Sequence, residues 1–559
     1  MAGKQANRRI RLLLAAFLIV FAATLSRAFW LQGVKAQSLG AMAQSQHRET
    51  VDIPASRGTI YDRDGVRMAI GEQATTVYAD PRQVTNAPAV ARAAQKVFGK
   101  KVVRASELYP QLRDKKRAFV YIARKAEPEE ATAFMKRGFD GVAVYPEERR
   151  FYPQHTVAAS ILGFAGVDNE GIAGLEYGFD KLLRGKPGVE TIVKDPFGRA
   201  IDTISSTPAR EGSDVFLTVD HIIQAEAESV LKRTLHTWGG KAAAAIVLDP
   251  RNGEILAMAD APGYDANGFA HVAAGKSRNR AVTDQYEPGS TFKLVTVSAA
   301  LSEHLVTPKT TFRLPYSIHV ADRVIHDAEE RPTETMSVAK ILSHSSNVGA
   351  VTLAEELGEE RLMQWIKRWG FGKTTGLDFP GESSGSVLPL DRWSGSTIGN
   401  VPIGQGIAVT PLQMASAYAA VANGGTWVQP HLVKKVARHS LPKPKKRRIL
   451  SPTVDSQVSA MLTNVVADGT GTEAQIPGYK VAGKTGTAEV PGPNGYTTGK
   501  YVASFVGYVP ASKPRLVVLV KVQEPTKAIF GGTVAAPAFA EIARFCLQYL
   551  EIPPDAKVP

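Results

Sequence analysis

The chain has 559 residues, 44% hydrophobic and 21% charged, an ordinary globular composition that is long enough for more than one domain. Its net charge of +14 is concentrated in residues 1–50 and 434–448, and the remaining residues carry equal numbers of acidic and basic side chains. This distribution excludes a basic domain face, so we expect no nucleic-acid partner. The single cysteine, Cys546, excludes an intramolecular disulfide framework and a cysteine-built metal site, and we expect no metal and no cofactor.

The N-terminal region is basic over residues 1–11 and apolar over residues 12–34. An uncleaved membrane anchor and a signal peptide both fit this pattern. We favour the anchor because no small-x-small cleavage pattern follows, and because the aromatic residues at 29 and 30 extend the run to spanning length. The basic residues before the run predict a cytoplasmic N-terminus, with the rest of the chain outside.

Residues 35–215 are predicted to form a β-rich pedestal that begins with a polar, helical stalk over 35–50. Residues 57–65 predict a short strand that ends in a turn. Two helical patches and a glycine-rich acidic loop follow among short β-like runs, over 89–97, 128–136 and 163–176 respectively. No metal-ligand spacing, phosphate-binding glycine loop or repeat is present here, which favours a structural or partner-binding module.

Residues 216–559 are predicted to form a second domain with an α+β fold. An amphipathic helix over 221–235 precedes two strands, and three strands and a closing helix over 537–550 follow a long helical block. The strands are predicted over 242–248, 254–260, 479–489, 501–509 and 515–522, with Asn494-Gly495 in the connection after the third. We expect one antiparallel five-stranded sheet flanked by helices.

Residues 434–448, called here the basic segment, hold eight basic residues and no acidic residue. Two prolines, Pro442 and Pro444, interrupt the segment and favour irregular backbone. We therefore expect a solvated loop, and contact with anionic lipid or with another protein is the alternative.

The stretch from Tyr286 to Lys293 places a Pro-Gly turn before an apolar helix. Ser290 and Lys293 would share a face of its first turn, so that the amine can accept the proton of the hydroxyl. This pattern alone is weak evidence, because Ser-x-x-Lys recurs at Ser229/Lys232, Ser337/Lys340 and Ser440/Lys443.

Two further motifs follow in a fixed order. Ser345-Ser346-Asn347 opens a later helical stretch, and Lys484-Thr485-Gly486-Thr487 lies in a predicted strand. Together with the Ser290 motif, they form the signature of penicillin-binding proteins and related serine β-lactamases.

The resemblance extends over almost the whole chain. Residues 57–65 are similar to the Arg-Gly box of class B penicillin-binding proteins, residues 278–281 and 375–382 resemble the septal subgroup, and residues 409–413 resemble the wider family. The resemblance implies a single-pass inner-membrane protein of the division type. A dimerisation-like pedestal (35–215) would carry a penicillin-binding/β-lactamase-like transpeptidase domain (216–559) in the periplasm, at the septum.

The same resemblance implies a peptidoglycan D,D-transpeptidase that crosslinks stem peptides during septal wall synthesis. The acyl donor would end in D-Ala-D-Ala and the acceptor would be an amine on a neighbouring stem. β-Lactams would inhibit the enzyme by acylating Ser290. The implied partners are the septal glycosyltransferase FtsW and other divisome membrane proteins.

Five residues are expected to carry the chemistry. Ser290 attacks the carbonyl, and Lys293 must be neutral to accept its proton. A second ammonium, Lys484, would lower the Lys293 pKa. Ser345 is expected to pass a proton to the departing amine. The Asn347 amide is expected to hold Lys293 or a substrate carbonyl.

Five further residues are expected to bind the substrate. Gly486 would let a ligand lie close to the strand, which can take an extended peptide as an added strand. The hydroxyls of Thr485 and Thr487 suit a terminal carboxylate. The backbone N–H groups of the nucleophile and of Thr487 would form the oxyanion hole. Tyr501 and Phe530 match an aromatic wall of related enzymes, and packing is their alternative role.

Three other functions stay open as alternatives. A carboxypeptidase or β-lactamase would hydrolyse the acyl-enzyme, but the middle motif is Ser-Ser-Asn rather than Ser-Asp-Asn. Glu382, in a Gly/Ser-rich loop, does not match the deacylating glutamate of class A β-lactamases. A β-lactam sensor or divisome scaffold would bind without turnover. A lateral-wall transpeptidase would share the chemistry at another place in the cell.

Overall fold

In the computed structural model, residues 2–38, 48–194, 200–273, 275–492 and 495–556 are described. The chain divides into two compact units. The first comprises Met1–Ser56 and Gly185–Glu211, and the second comprises Arg57–Arg184 and Gly212–Pro559.

The first unit begins with an apolar helix. Its α-helical part, Ala2–Phe29, continues as the π-helical turn Trp30–Val34. The span Asn7–Val34 has a mean hydropathy of 2.2 in its most apolar window, and none of that window is buried. A helix of 28 residues is longer than the hydrocarbon core of a bilayer is thick. This helix therefore indicates a single-pass membrane anchor.

The first unit also holds a three-stranded antiparallel sheet of Arg48–Ile53, Gly188–Lys194 and Ala200–Thr207, in that order. The helical stalk predicted for 35–50 is therefore wrong at its end, because the chain from Arg48 onward pairs as a strand. Residues 39–47 of that prediction lie outside the described residues.

The second unit begins with a mixed sheet around the long strand Arg67–Ala79, which pairs with two others, Val120–Ala126 and Val142–Phe151. The sheet continues through Ile60–Tyr61, Val215–Leu217 and Val433–Val436. Helices Ala87–Phe98, Ala105–Arg113 and Pro128–Met135 pack on this region and share its buried core. The strand and helices predicted here are confirmed, with shifts of a few residues at their ends.

The loop predicted for 163–176 is wrong. A hairpin of Phe164–Ala165 and Gly171–Ala173 is followed by the short helix Gly174–Gly178, and short helices Ala159–Leu162 and Asp180–Leu183 flank them. The acidic character misled the prediction, because the Glu176 side chain is fully buried and ion-paired with Arg57 and Arg150.

The central sheet of the second unit has five antiparallel strands, as predicted. Their order is Ile255–Ala261, Ala242–Leu248, Leu516–Gln523, Gly495–Val509 and Ala482–Gly492. Helices His221–Trp238 and Ala536–Tyr549 pack on one face, and the larger helical block packs on the other. The last strand, called here the Lys484 strand, lies at the sheet edge. Asn494, expected in its connection, lies outside the described residues.

The helical block between the second and third strands along the chain contains the remaining long helices. These are Lys293–Ser302, Asn347–Leu357, Glu359–Trp369, Pro411–Ala422 and Pro452–Asp468. Its short helices are Arg280–Thr283, Val338–Ser343 and Thr397–Asn400, with 3-10 turns at Ala266–His271, Gly289–Phe292, Leu390–Arg392, Val401–Ile403 and Thr472–Ala474. A further short helix, Gly531–Val534, follows the last strand along the chain.

Four further two-stranded antiparallel sheets lie in the described part of the second unit. Their strand pairs are Thr311–Leu314 with Glu334–Ser337, Ser317–Val320 with Arg323–His326, Ser386–Val387 with Ile407–Ala408, and Thr426–Val428 with Lys446–Arg448. The last pair shows that the basic segment is not wholly a loop, contrary to our prediction. The segment begins inside strand Val433–Val436 and ends as strand Lys446–Arg448, so that only its middle is irregular.

Candidate active site

Ser290 lies in a tight turn that leads into a buried helix. Residues Gly289–Phe292 form a 3-10 turn, and the α-helix begins at Lys293 rather than carrying Ser290 in its own first turn. A 3-10 turn has about three residues per turn, so it aligns Ser290 with Lys293 on one side. Ser290 is partly exposed, whereas Lys293 is fully buried.

This turn packs against the Lys484 strand through glycines. Gly289 has a φ of 56°, and a Cβ placed on it would lie 2.6 Å from the Thr487 carbonyl oxygen and 3.3 Å from the Thr487 nitrogen. Its own N–H donates to the Gly404 carbonyl at 3.1 Å. Only glycine allows this backbone conformation and this approach without strain. The nucleophile candidate and the Lys484 strand therefore face one another.

Gly486 makes a second close approach between the same elements. A Cβ on Gly486 would lie 2.5 Å from the Ser504 hydroxyl, 2.8 Å from the Pro288 carbonyl and 3.0 Å from a Thr291 methyl group. The space beside Gly486, which we expected a ligand to use, is thus filled by the turn itself. Gly486 joins the strand to the nucleophile turn.

The Lys293 amine contacts the second motif. Its Nζ donates to the Asn347 Oδ1 at 2.7 Å, to the Ser345 carbonyl at 2.5 Å and to the Ser345 hydroxyl at 3.2 Å. Asn347 donates through its own amide to the His326 carbonyl at 2.8 Å, which fixes the side chain with its oxygen toward Lys293. All three partners of Lys293 are uncharged.

A carboxylate holds the second motif in place. Asp327 accepts the backbone N–H groups of Asn347 at 2.5 Å and Val348 at 3.0 Å, and it accepts the Ser346 hydroxyl at 3.0 Å. Arg331 donates to the same carboxylate at 2.5 Å. This clamp caps the helix Asn347–Leu357, as negative charge does at a helix N-terminus. The preceding Ser345 has a left-handed backbone, with a φ of 59°.

Lys484 is fully buried and also lacks a carboxylate partner among the described residues. Its Nζ lies 3.2 Å from the Thr485 hydroxyl and 3.4 Å from the Thr470 hydroxyl. These two hydroxyls hydrogen-bond to each other at 2.8 Å. The group presents one lysine amine and two hydroxyls, and a bound carboxylate would favour the protonated form of that amine.

Burial controls the charges of both lysines. It lowers the pKa of Lys293 to about 7, although the Asp327 carboxylate acts in the opposite direction. Burial also lowers the pKa of Lys484 well below its usual value, and the charge of Lys293 lowers it further. We expected the Lys484 charge to lower the Lys293 pKa, and desolvation is instead the main cause.

Of the remaining predicted binding residues, Thr487 lies farther along the Lys484 strand, and Tyr501 and Phe530 lie on neighbouring elements. The Thr487 hydroxyl accepts the Gly531 N–H at 3.1 Å, which brings the adjacent Phe530 to this end of the site with 53% of its surface exposed. Tyr501 lies opposite Glu489 on the neighbouring strand, two residue pairs beyond the pair that holds Thr487. An aromatic wall formed by Tyr501 and Phe530 stays a prediction.

Three contributors were missed from the sequence. Asp327 and Thr470 lie outside the recognised motifs, and only the spacing of Asp327 and Arg331 by four residues signals a charged pair. Glu287 is the third, and it accepts the Gly406 N–H and the Tyr496 hydroxyl, each at 2.9 Å. Among the described residues, no three His, Cys, Asp or Glu side chains group as a metal site would require.

Comparison with known proteins agrees with this geometry. The profile of the penicillin binding protein transpeptidase domain matches residues 243–544, and that of the penicillin-binding protein dimerisation domain matches residues 52–217. The chain therefore belongs to the class B penicillin-binding proteins and is a serine-type peptidoglycan D,D-transpeptidase.

Relatives match over nearly the full length. The chain is 33% identical to the peptidoglycan D,D-transpeptidase FtsI of Escherichia coli, covering 98% of this chain and 93% of that one. It is 32% identical to the probable peptidoglycan D,D-transpeptidase PbpC of Pseudomonas aeruginosa, covering 99% and 97%. It is also similar to the crystal structure of penicillin-binding protein 3 of Mycobacterium tuberculosis with aztreonam, at 29% identity, a TM-score of 0.71 and coverage of 91% and 99%.

Proposed function

We propose that the chain crosslinks peptidoglycan stem peptides during septal wall synthesis, through an acyl-enzyme on Ser290. The observation that carries this proposal is the buried Lys293 amine, whose pKa of about 7 leaves a large neutral fraction at neutral pH. It follows Ser290 by one 3-10 turn and is held by uncharged partners. A neutral amine in this position is the base that a serine hydroxyl needs.

In the first half-reaction, the Ser290 Oγ attacks the carbonyl carbon of the D-Ala-D-Ala peptide bond, and its proton passes to Lys293. The backbone N–H groups of Ser290 and Thr487 stabilise the oxyanion, each at about 3 to 4 kcal/mol in comparable sites. The C–N bond then breaks, and the proton reaches the departing D-Ala amine through Ser345. Asn347 orients the Lys293 amine during both transfers.

In the second half-reaction, an amine of a neighbouring stem attacks the ester carbonyl. Its proton passes through Ser345 to Lys293, the bond to Ser290 breaks, and Lys293 returns the proton to the serine oxygen. During the first half-reaction, Lys484, Thr485 and Thr487 bind the terminal carboxylate of the donor, which departs with the released D-Ala. The donor backbone adds to the edge of the Lys484 strand. Tyr501 and Phe530 contact the side of the donor at the far end of this strand.

The septal assignment rests on two supports: the similarity to FtsI and the boxes at 278–281 and 375–382. We infer a cytoplasmic tail (1–11), an anchor (12–34), a periplasmic pedestal (35–215) and a transpeptidase domain (216–559). FtsW and other divisome membrane proteins are the proposed partners. A lateral-wall role would place the same chemistry along the cell side.

Covalent labelling with fluorescent penicillin tests the chemistry. We expect the wild-type chain to be labelled and the Ser290→Ala variant to be unlabelled at equal thermal stability. Rapid loss of the label, with release of hydrolysed penicillin, would support a hydrolase instead. Imaging of a tagged chain tests the location, since fluorescence along the side wall rather than at midcell would contradict the septal role.

A further inference from the structure

The basic segment presents a concentrated positive surface on the second unit. All eight of its basic side chains are exposed: Lys434, Lys435, Arg438, Lys443, Lys445, Lys446, Arg447 and Arg448. The strands at its ends fix Lys435 and the last three of these residues on paired backbone. The surface is therefore partly preformed rather than a wholly flexible tail.

Among the described residues, no carboxylate lies within ion-pair distance of these cations. Within the described part of the chain, no ion pair involves the basic segment, and the partners of its side chains are ring faces and carbonyl oxygens. Lys435 lies 5.5 Å from the centroid of the Phe216 ring, and Arg448 donates to the Gly424 and Leu450 carbonyls at 3.0 and 3.2 Å. The nearby Asp455 is buried and does not pair directly.

Two guanidinium groups come together at one end of this surface. Arg447 lies over the Trp427 ring at 5.4 Å, and Arg368 lies over the Trp365 ring at 4.7 Å while donating to the Ile449 carbonyl at 3.0 Å. Burial and the charge of Arg368 lower the pKa of Arg447. Two like charges held close by aromatic rings, without a carboxylate, form a ready site for an oxyanion.

We propose that the basic segment and Arg368 form a second binding surface for peptidoglycan, which recognises the free carboxylates of stem peptides away from the catalytic cleft. Every uncrosslinked stem ends in a carboxylate, so the polymer presents anions at many points. A membrane surface fits less well, because polybasic lipid-binding segments flank a membrane helix or form an amphipathic helix. This segment is far along the chain from the apolar helix, has strands at both ends and exposes one large apolar side chain, Leu441.

This inference rests on the proposed function, because it takes the enzyme's own polymer as the ligand. Its expected effect is to hold the enzyme on the wall at low ionic strength, without changing the acylation chemistry. Exposed charge pairs of this kind are screened by salt, so the binding should fall steeply as ionic strength rises.

Co-sedimentation with purified peptidoglycan tests the proposal, using the full-length chain in nanodiscs of zwitterionic phosphatidylcholine. The variant carries Lys443→Gln, Lys445→Gln, Lys446→Gln and Arg447→Gln. The matched control removes four exposed charges elsewhere, through Arg92→Gln, Lys100→Gln, Lys101→Gln and Lys116→Gln. We expect about tenfold weaker binding for the variant only, because it removes exposed charge pairs that are each weak alone. Wild-type binding should be lost on peptidoglycan whose carboxylates are amidated.

Equal binding of variant and wild type, or an equal loss in the control, would overturn the proposal. The proposal would also be overturned if the chain bound separate nanodiscs of anionic phosphatidylglycerol but did not bind peptidoglycan. That result would assign the surface to lipid. Fluorescent penicillin is applied to the same samples. If wild type and variant are both labelled, both have an intact active site, and any binding defect of the variant lies in this surface. If the wild type is not labelled, the proposed function is refuted independently of the sedimentation result.

Discussion

Two regions of the second unit bury charged side chains, with opposite consequences. Around Arg57, the guanidinium pairs with Glu176 at 2.7 Å and Asp180 at 2.8 Å, and Arg150 pairs with Glu176 at 2.6 Å. Around Lys293 and Lys484, the amines contact hydroxyls, a carbonyl and an amide. Both regions are desolvated, but only the first supplies carboxylates as direct partners.

The partners decide what burial does to each charge. Burial by itself lowers the pKa of Arg57, and Glu176 and Asp180 more than offset it, so that the group stays a cation. Burial of Lys293 is opposed only by the more remote Asp327, and its pKa falls to about 7. A buried charge with counter-charges holds structure together, whereas one without them can exchange a proton during a reaction.

Lys293→Met should give the largest effect, because it removes the base. We expect the rate constant of Ser290 acylation by penicillin to fall at least about a thousandfold. The acylation rate constant of Lys293→Arg should fall as far, since a guanidinium keeps its proton. Lys232→Met, on the exposed side of helix His221–Trp238, is the control and should acylate normally. Activity of the Arg variant would show that charge, rather than basicity, is what matters.

Glu176→Gln tests the other region. It leaves Arg57 and Arg150 buried without their shared carboxylate, which should cost about 3 to 5 kcal/mol of unfolding free energy. Asp168→Asn removes an exposed partner of Arg124 and should cost less than about 1 kcal/mol. Denaturant unfolding measures both. A small loss for Glu176→Gln, or slower acylation per folded molecule, would contradict a purely structural role.

Asp327→Asn should loosen the second motif without removing any catalytic group. We expect acylation to slow by about tenfold to a hundredfold, because the clamp on Asn347 and Ser346 weakens. Asp327 raises the Lys293 pKa, so its loss should also move the acid limb of the rate to lower pH. Asp322→Asn, 74% exposed in the same hairpin, is the control. An unshifted pH profile would argue that Asp327 acts through folding alone.

Phe530→Ala should give the smallest effect. Its ring is 53% exposed at the end of the site, so we expect less than about a tenfold loss in the second-order acylation constant. The maximal acylation rate should equal that of the wild type, because the substitution leaves the proton-transfer groups unchanged. Phe530→Tyr keeps the ring and should restore the constant. No loss at all would leave packing as the role of Phe530.

The sheet and the motif trio could be predicted from the sequence. Strand Ala242–Leu248 is a continuous apolar run, which is typical of a strand that is buried on both faces, and every residue in it is buried. Ser290, Lys293 and the Lys484 strand were recognised as a group because each motif combines residue types with a defined local element. The structure brings the Ser290 turn and this strand into contact, as the motif order required.

The missed features depend on contacts between distant segments. Glu176 was assigned to a loop because sequence shows its acidity and not its partner Arg57, 119 residues away. Asp327 belongs to no recognised motif. Its role arises because a hairpin places it at the N-terminus of helix Asn347–Leu357. The sequence predicts a depressed Lys293 pKa, but the main cause of the shift, desolvation, depends on packing that local patterns do not encode.

The pH dependence of Ser290 acylation tests the central claim most directly, namely that Lys293 is neutral because it is buried. Between about pH 5 and pH 9, we expect the rate constant to rise about tenfold per unit and to level off above a midpoint near 7, as Lys293 loses its proton. A rate that is flat over this range, or that climbs without a break toward the pKa of an ordinary lysine, would contradict the account.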